Sequence, residues 1–182
     1  MRIKPIEVFD KQGRKVILRN ACEDDADDLI KYLKKTAKET PYLLREEDEI
    51  NLTVEDEKGF INMILEMDNA LMLVAYLDGK HVGNCSFSPI APFKRLAHRC
   101  DMAIALYQEY CGSGIGSIML ETALRYAKEV GYEQAELEVV SSNIKAIKLY
   151  EKYGFKKYGT KPNNMKYSNG SYASVDWMMV KL

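Results

Sequence analysis

The sequence predicts an α/β (α+β) fold, a mixed sheet with helices on its faces, and three observations predict it. Apolar runs and amphipathic stretches follow one another in the order β-β-α-α-β-β-β-α-β-α-β-β, the pattern of a layered sandwich. Asp78-Gly79 separates two apolar runs, the strongest short signal for a hairpin. A long helical pattern begins at once after three glycines in "CGSGIG". The chain of 182 residues shows no linker, repeat or low-complexity tract, so one domain is expected over 1–182.

Each element has a local reason. "IEVF" and "KVILRNA" flank "DKQGR" as a first hairpin. "CEDDADDLIKYLKKTAKET" is a helix, acidic where its dipole is positive and lysine-rich towards its other end, closed by Pro41. In the next helix Thr53 and Asp56 read as an N-cap region, and Phe60, Ile61, Ile64 and Met67 as the apolar stripe. "ALMLVAYLDGKHVGNCSFSPI" is the clear hairpin, and "LAHRCDMAIAL" a third strand. After the glycines, Ile115, Ile118, Met119, Thr122, Ala123, Tyr126, Ala127 and Val130 share one helix face. "QAELEVV" alternates Ala135, Leu137 and Val139 with glutamates that read as a solvent-facing row. "SSNIKAIKLYEKYGF" is a short helix stopped by Gly154, and two strands around "SNGS" close the chain.

Composition excludes several classes of function. A net charge of −1 gives no global attraction for nucleic acid. The four cysteines make no C-x-x-C pair, and His81 and His98 lack ligand spacing, so no metal is expected. The N-terminus lacks the apolar core of a signal peptide, and no apolar run is long enough for a membrane. A reducing cytoplasm is the expected location. Charge is unevenly spread: Ala21 to Phe60 holds thirteen acidic and six basic residues, Ser141 to Leu182 two acids and eight lysines. Solvated helix faces explain much of this. An acidic surface for a cationic substrate and a basic one for an anionic cofactor is the functional alternative.

The glycines sit where a strand passes into a helix. The first N–H groups of a helix lack internal partners, and the helix dipole adds positive potential there, so a phosphate is accommodated if side chains are absent. Tight helix–strand packing explains small residues equally well. The lysine of a P-loop is missing, and the third glycine of a dinucleotide fingerprint falls on Ser117, so neither nucleotide motif fits.

"EYCGSGIGSIML" resembles the pyrophosphate loop, Q/R-x-x-G-x-G/A, of the GNAT superfamily of CoA-dependent N-acetyltransferases. Cys111 stands where that family usually has Arg or Gln. "SSNIKAIKLYEKYGFKKYG" is similar to the family's N-x-x-A-x-x-L-Y-x-x-x-G-F signature through Asn143, Ala146, Leu149, Tyr150, Gly154 and Phe155, one helix and one strand later. The resemblance implies a mostly antiparallel central sheet with helices on both faces and two splayed central parallel strands. It implies acetyl-CoA as acyl donor, with no metal. Cys111, Gly112, Ser113, Gly114, Ile115, Gly116 and Ser117 would offer N–H groups to the pyrophosphate. Ile104, Ala105 and Leu106 would pair with the pantetheine arm, and Asn143 would cap its helix and touch that arm. Tyr150 would protonate the departing thiolate, a role its ordinary pKa near 10 suits.

For the base that receives the amine's proton, Asp101, His98, Glu136 and Glu138 are the candidates, and Asp101 ranks first. Trp177, Tyr158, Tyr167 and Tyr172 read first as core or dimer packing and second as acceptor-pocket lining. The favoured activity is acetyl transfer to a primary amine, with a small cationic acceptor preferred. A protein N-terminal acetyltransferase and a non-catalytic acyl-CoA-binding or sensing domain are the alternatives. The apolar "VDWMMVKL" is a candidate edge strand for a homodimer.

Overall fold

The computed structural model describes residues 1–182 and contains every element in the expected order. β1 (Ile6–Phe9) and β2 (Lys15–Asn20) form the first hairpin, α1 (Ala26–Glu39) and α2 (Val54–Glu66) follow, and β3 (Leu71–Leu77), β4 (Lys80–Pro89) and β5 (Arg99–Leu106) form a meander. Then come α3 (Ile115–Glu129), β6 (Gln134–Val140), α4 (Ile144–Lys152), β7 (Lys156–Lys166) and β8 (Tyr172–Lys181). Asp78 and Gly79 both take positive φ, as the tight two-residue turn between β3 and β4 requires. Thr53 accepts from the Asp56 N–H while Asp56 accepts from the Thr53 N–H, a reciprocal cap that fixes the start of α2.

The eight strands make one sheet in the order β1-β2-β3-β4-β5-β6-β8-β7. All neighbours are antiparallel except β5 and β6. This parallel pair is matched only at Arg99–Gln134, Cys100–Ala135 and Asp101–Glu136. Beyond that point β5 runs on to Leu106 bonded to β4, and β6 to Val140 bonded to β8, so the two strands part. The splay sits at the middle of the sheet.

Helices cover both faces. Leu73 and Ala75 join Ile115, Met119, Leu120 and Ala123 of α3 in the main core, whereas Val74, between them, packs with Ala26, Leu29 and Ile61 of α1 and α2. The strand's two-residue alternation therefore serves two cores at once. Three sequence expectations need correction. Phe60 is 46% exposed, because α2 turns it away from the core towards a cavity. Glu136 is buried, because Arg99 on the parallel neighbour gives it a partner. β8 lies between β6 and β7, so it presents no free edge for a second copy, and the sheet's edges are β1 and β7.

Asp25 locks the helical layer to the sheet. Arg19 donates two hydrogen bonds to its carboxylate at 2.7 Å each, the Tyr76 hydroxyl donates at 2.6 Å and the Cys22 N–H at 2.8 Å. Burial alone would raise this carboxyl's pKa, but these donors outweigh it and hold the pKa well below the usual range.

Candidate active site

The glycine loop is narrower as a donor set than its sequence suggests. The N–H groups of Cys111 and Ser113 donate to the carbonyls of Gln108 and Tyr110, and that of Ile115 to the Ser113 hydroxyl. The N–H groups of Gly112, Gly114, Gly116 and Ser117 have no partner in the protein. The three glycines also differ in what they make room for. Gly112 has a φ of +86° and nothing within 4 Å of the place a Cβ would occupy, so it faces open space. Gly114, with a φ of +95°, lies under the side chain of Lys11, whose Cγ would be 2.9 Å from a Cβ. At Gly116 a Cβ would meet Leu106 at 3.3 Å, with Leu149 and Ile104 just beyond, so this glycine seats α3 against β5 and α4. Tight packing, one of the two readings open to the sequence, thus holds at Gly116, while Gly112 leaves the room that phosphate approach would need. Four free donors at a helix start, beside an uncovered glycine, fit an anionic group.

The same contacts bring the other cofactor candidates together. Ile104 and Leu106 at the end of β5 touch the start of α3, and Leu149, next to Tyr150, closes the triangle. The Ala105 carbonyl accepts from the buried Tyr32 hydroxyl at 2.7 Å. The Asn143 side-chain oxygen accepts from the Ala146 N–H at 3.3 Å, which caps α4 and leaves the side-chain amide N–H groups unused. Lys145 lies close enough to Cys111 that its charge offsets part of the rise that burial imposes on the thiol.

Tyr150 is 7% exposed, packs against Phe155, and its hydroxyl has no hydrogen-bond partner. Burial pushes its pKa far above that of a free phenol, so the group stays protonated.

Across the sheet, Asp101 opens into a groove of about 320 Å³ together with Ser88, Pro89, Glu138, Tyr158 and Trp177. The four candidate bases separate clearly there. Glu136 is held by Arg99, Gln134 and Tyr158, and its pKa is lowered, with Arg99 the leading cause. Glu138 accepts from the Trp177 indole N–H at 2.8 Å and pairs with Lys161 at 3.5 Å. His98 stands outside the groove. Asp101 accepts no hydrogen bond from another side chain; although it is exposed to the groove, desolvation by the surrounding walls, followed by repulsion from Glu138 and Glu136, raises its pKa to about 6. Carboxylates driven apart in this way recur at acid–base sites and also in structural ion-pair networks.

The aromatic residues are also sorted by the fold. Tyr158 and Trp177, first read as packing residues, stack 6.0 Å apart in the groove wall. Tyr167 donates to the Pro41 carbonyl at 3.0 Å, and Tyr172 is 56% exposed. A second cavity of about 530 Å³ adjoins the groove, shares Ser88 and Pro89 with it, and reaches Ala103, Ile104 and Ala105 under α1 and α2. The sequence carried no mark of it beyond the misplaced Phe60.

A sheet that splits between its one parallel pair, with a glycine loop opening the helix beside the split, is the fold of an acyl-transferring enzyme. The acetyltransferase (GNAT) family model matches residues 26–155, and the chain belongs to that family. It is 31% identical to an N-alpha-acetyltransferase of Sulfurisphaera tokodaii, over 80% of this chain and 83% of that one. It is 34% identical to another from Saccharolobus solfataricus, with the same two coverages. Among solved structures, a GNAT acetyltransferase from Streptococcus pneumoniae superposes with a TM-score of 0.87 at 29% identity, covering 92% of this chain and 99% of that one. A Salmonella typhimurium protein solved with its cofactor acetyl-CoA shares the fold at a TM-score of 0.82 and 16% identity, covering 92% of this chain and 94% of that one.

Proposed function

We propose that this protein transfers an acetyl group from acetyl-CoA to the α-amine at a polypeptide N-terminus, with both substrates bound together. The observation that carries the reading is the splay, with free loop donors at one approach and the unpaired Asp101 at the other. Two archaeal relatives bear the name N-alpha-acetyltransferase, and the groove around Asp101 is open enough to let a chain leave the site.

Acetyl-CoA supplies the acyl group already activated as a thioester. Gly112, Gly114, Gly116 and Ser117 donate their N–H groups to its pyrophosphate. The β5 backbone at Ile104 to Leu106 positions the arm, and an N–H there polarises the carbonyl under attack. Asp101, ionised above a pH of about 6, takes the proton from the acceptor ammonium so that a neutral amine attacks. Tyr150 returns a proton to the departing sulfur. Titration calorimetry with acetyl-CoA followed by a peptide tests the scheme, and absence of cofactor binding at millimolar concentration refutes it.

Two variants separate the roles. Asp101→Asn is expected to remove the limb of the kcat/KM profile near pH 6 and to leave the limb near pH 8 that belongs to the amine itself. An unchanged limb assigns the base elsewhere. Lys145→Gln is expected to raise KM for acetyl-CoA about threefold to tenfold, as the loss of one charge contact does. KM for acetyl-pantetheine, which lacks the nucleotide phosphates, should stay constant. Equal effects on both donors would mean a packing role for Lys145.

The acidic segment from Ala21 to Phe60 favours a second reading, a small cationic acceptor. Many of its carboxylates already have partners: Asp27 and Asp28 pair with Lys31, Glu39 with Lys35, and Glu47 with Lys38. None lines the cavity beside the splay.

A further inference from the structure

We infer that the residue bearing the acceptor amine carries a bulky apolar side chain, of leucine, methionine or phenylalanine size. The inference rests on the N-terminal reading above and names the substrate class within it. An amine that reaches the thioester must approach β5 where it leaves β6. On the groove side that stretch is floored by Ala103 and Ala105, and the larger cavity opens from it. Whatever is attached to the amine next to its Cα points into this space.

The chemistry of the walls selects the occupant. Leu33 of α1, Leu43 beyond it, Phe60 and Met63 of α2, Met67 just past its end, and Met72 of β3 surround the cavity, with no acidic or basic side chain among its lining residues. Its few polar groups are partly used. The Thr36 hydroxyl donates to backbone carbonyls of its own helix, and the Asn84 side-chain oxygen is bonded to His81. A charged or hydroxylated side chain would give up water there and find little in return. An apolar chain would cover Phe60 and Met63, which stand 46% and 50% exposed although large and hydrophobic. Methionines suit a wall that adapts to several apolar shapes.

Charge complementarity fixes the orientation. Asp101, two positions from Ala103 on the same face of β5, is a carboxylate in the adjoining groove with no side-chain partner. The ammonium is drawn to Asp101, the first side chain enters the apolar cavity, and the rest of the polypeptide leaves along the groove that begins at Ser88 and Pro89. A diamine or polyamine has a cation at both ends, and the apolar cavity has no carboxylate for the second.

The test is a series of heptapeptides identical except for a first residue of Leu, Met, Phe, Gly, Ser or Lys, run beside leucinamide, glycinamide and spermidine, with CoA release as the readout. We expect kcat/KM for the Leu, Met and Phe peptides to exceed that for the Gly, Ser and Lys peptides at least tenfold. Met63→Glu, at an exposed position where folding is not at stake, should lower kcat/KM for the Leu peptide at least tenfold and raise it for the Lys peptide. Equal rates across first residues, or preference for Gly, Ser, Lys or spermidine, overturn the inference while peptide turnover keeps the N-terminal reading. Leucinamide favoured over glycinamide with no peptide turned over does the reverse.

Discussion

Phenylalanine at position 150 is expected to lower kcat by about 10²-fold or more, the contribution a positioned general acid makes. The ring is already packed beside Phe155 and the hydroxyl bonds to nothing in the protein, so removing that oxygen deletes a proton without leaving an orphaned partner. Folding stability should therefore be retained and KM for acetyl-CoA little changed. Such a pattern identifies an interaction made mainly in the transition state. The high pKa adds a second signature: no activity should be lost through Tyr150 ionisation up to at least pH 9 in the parent enzyme. Single-turnover kinetics of the two proteins at saturating substrates decide the matter. Equal rates would remove Tyr150 from the chemistry and leave it as a core residue.

Asn at position 25 is expected to destabilise the protein by about 3–5 kcal/mol, a large part of the ~5–15 kcal/mol that holds a typical domain together. Asp25 is 4% exposed and accepts from Arg19, Tyr76 and Cys22, so the variant leaves a half-buried guanidinium with no counter-charge and weakens a buried acceptor. Because the folded pKa lies below the unfolded one, ionised Asp25 stabilises the fold fully above about pH 4, and this contribution fades as pH falls towards the folded value. Urea titrations at pH 7 should show the whole loss, and the gap between parent and variant should narrow in acid. Asp28→Asn makes the comparison, since it touches only the exposed pair with Lys31 and should cost very little. A loss of similar size at both positions would show that Asp25 is no special anchor.

What the sequence made legible was local. The Asp78-Gly79 turn, the Thr53 cap and the Asn143 cap are set by residues a few positions apart, and each is found as expected. The glycine loop and the Tyr150 helix were recognisable for the same reason. The fates of Asp101 and Glu136 were not. Both alternate with apolar residues on their strands, and only the parallel register between β5 and β6 brings Arg99 to Glu136 and leaves Asp101 alone. Likewise, nothing within "VDWMMVKL" reveals that the chain passes β8's place in the sheet, lays β7 at the edge and then turns back inward. The cavity under α1 and α2 was hidden because its walls come from α1, α2, β3, β4 and β5 together.

The backbone N–H of Lys11, at the tip of the first hairpin, donates to the Ser113 carbonyl at 2.8 Å. That bond fastens the loop between β5 and α3 to a part of the chain lying before residue 26, where the match to the family model begins. Val16 and Leu18 are fully buried in the main core, and Met178, beyond residue 155, lies there with them. The boundaries of the family-model match and those of the packed core therefore do not coincide. Cutting the gene at the borders of that match would yield a fragment that keeps its family's motifs and loses part of the scaffold that holds them still.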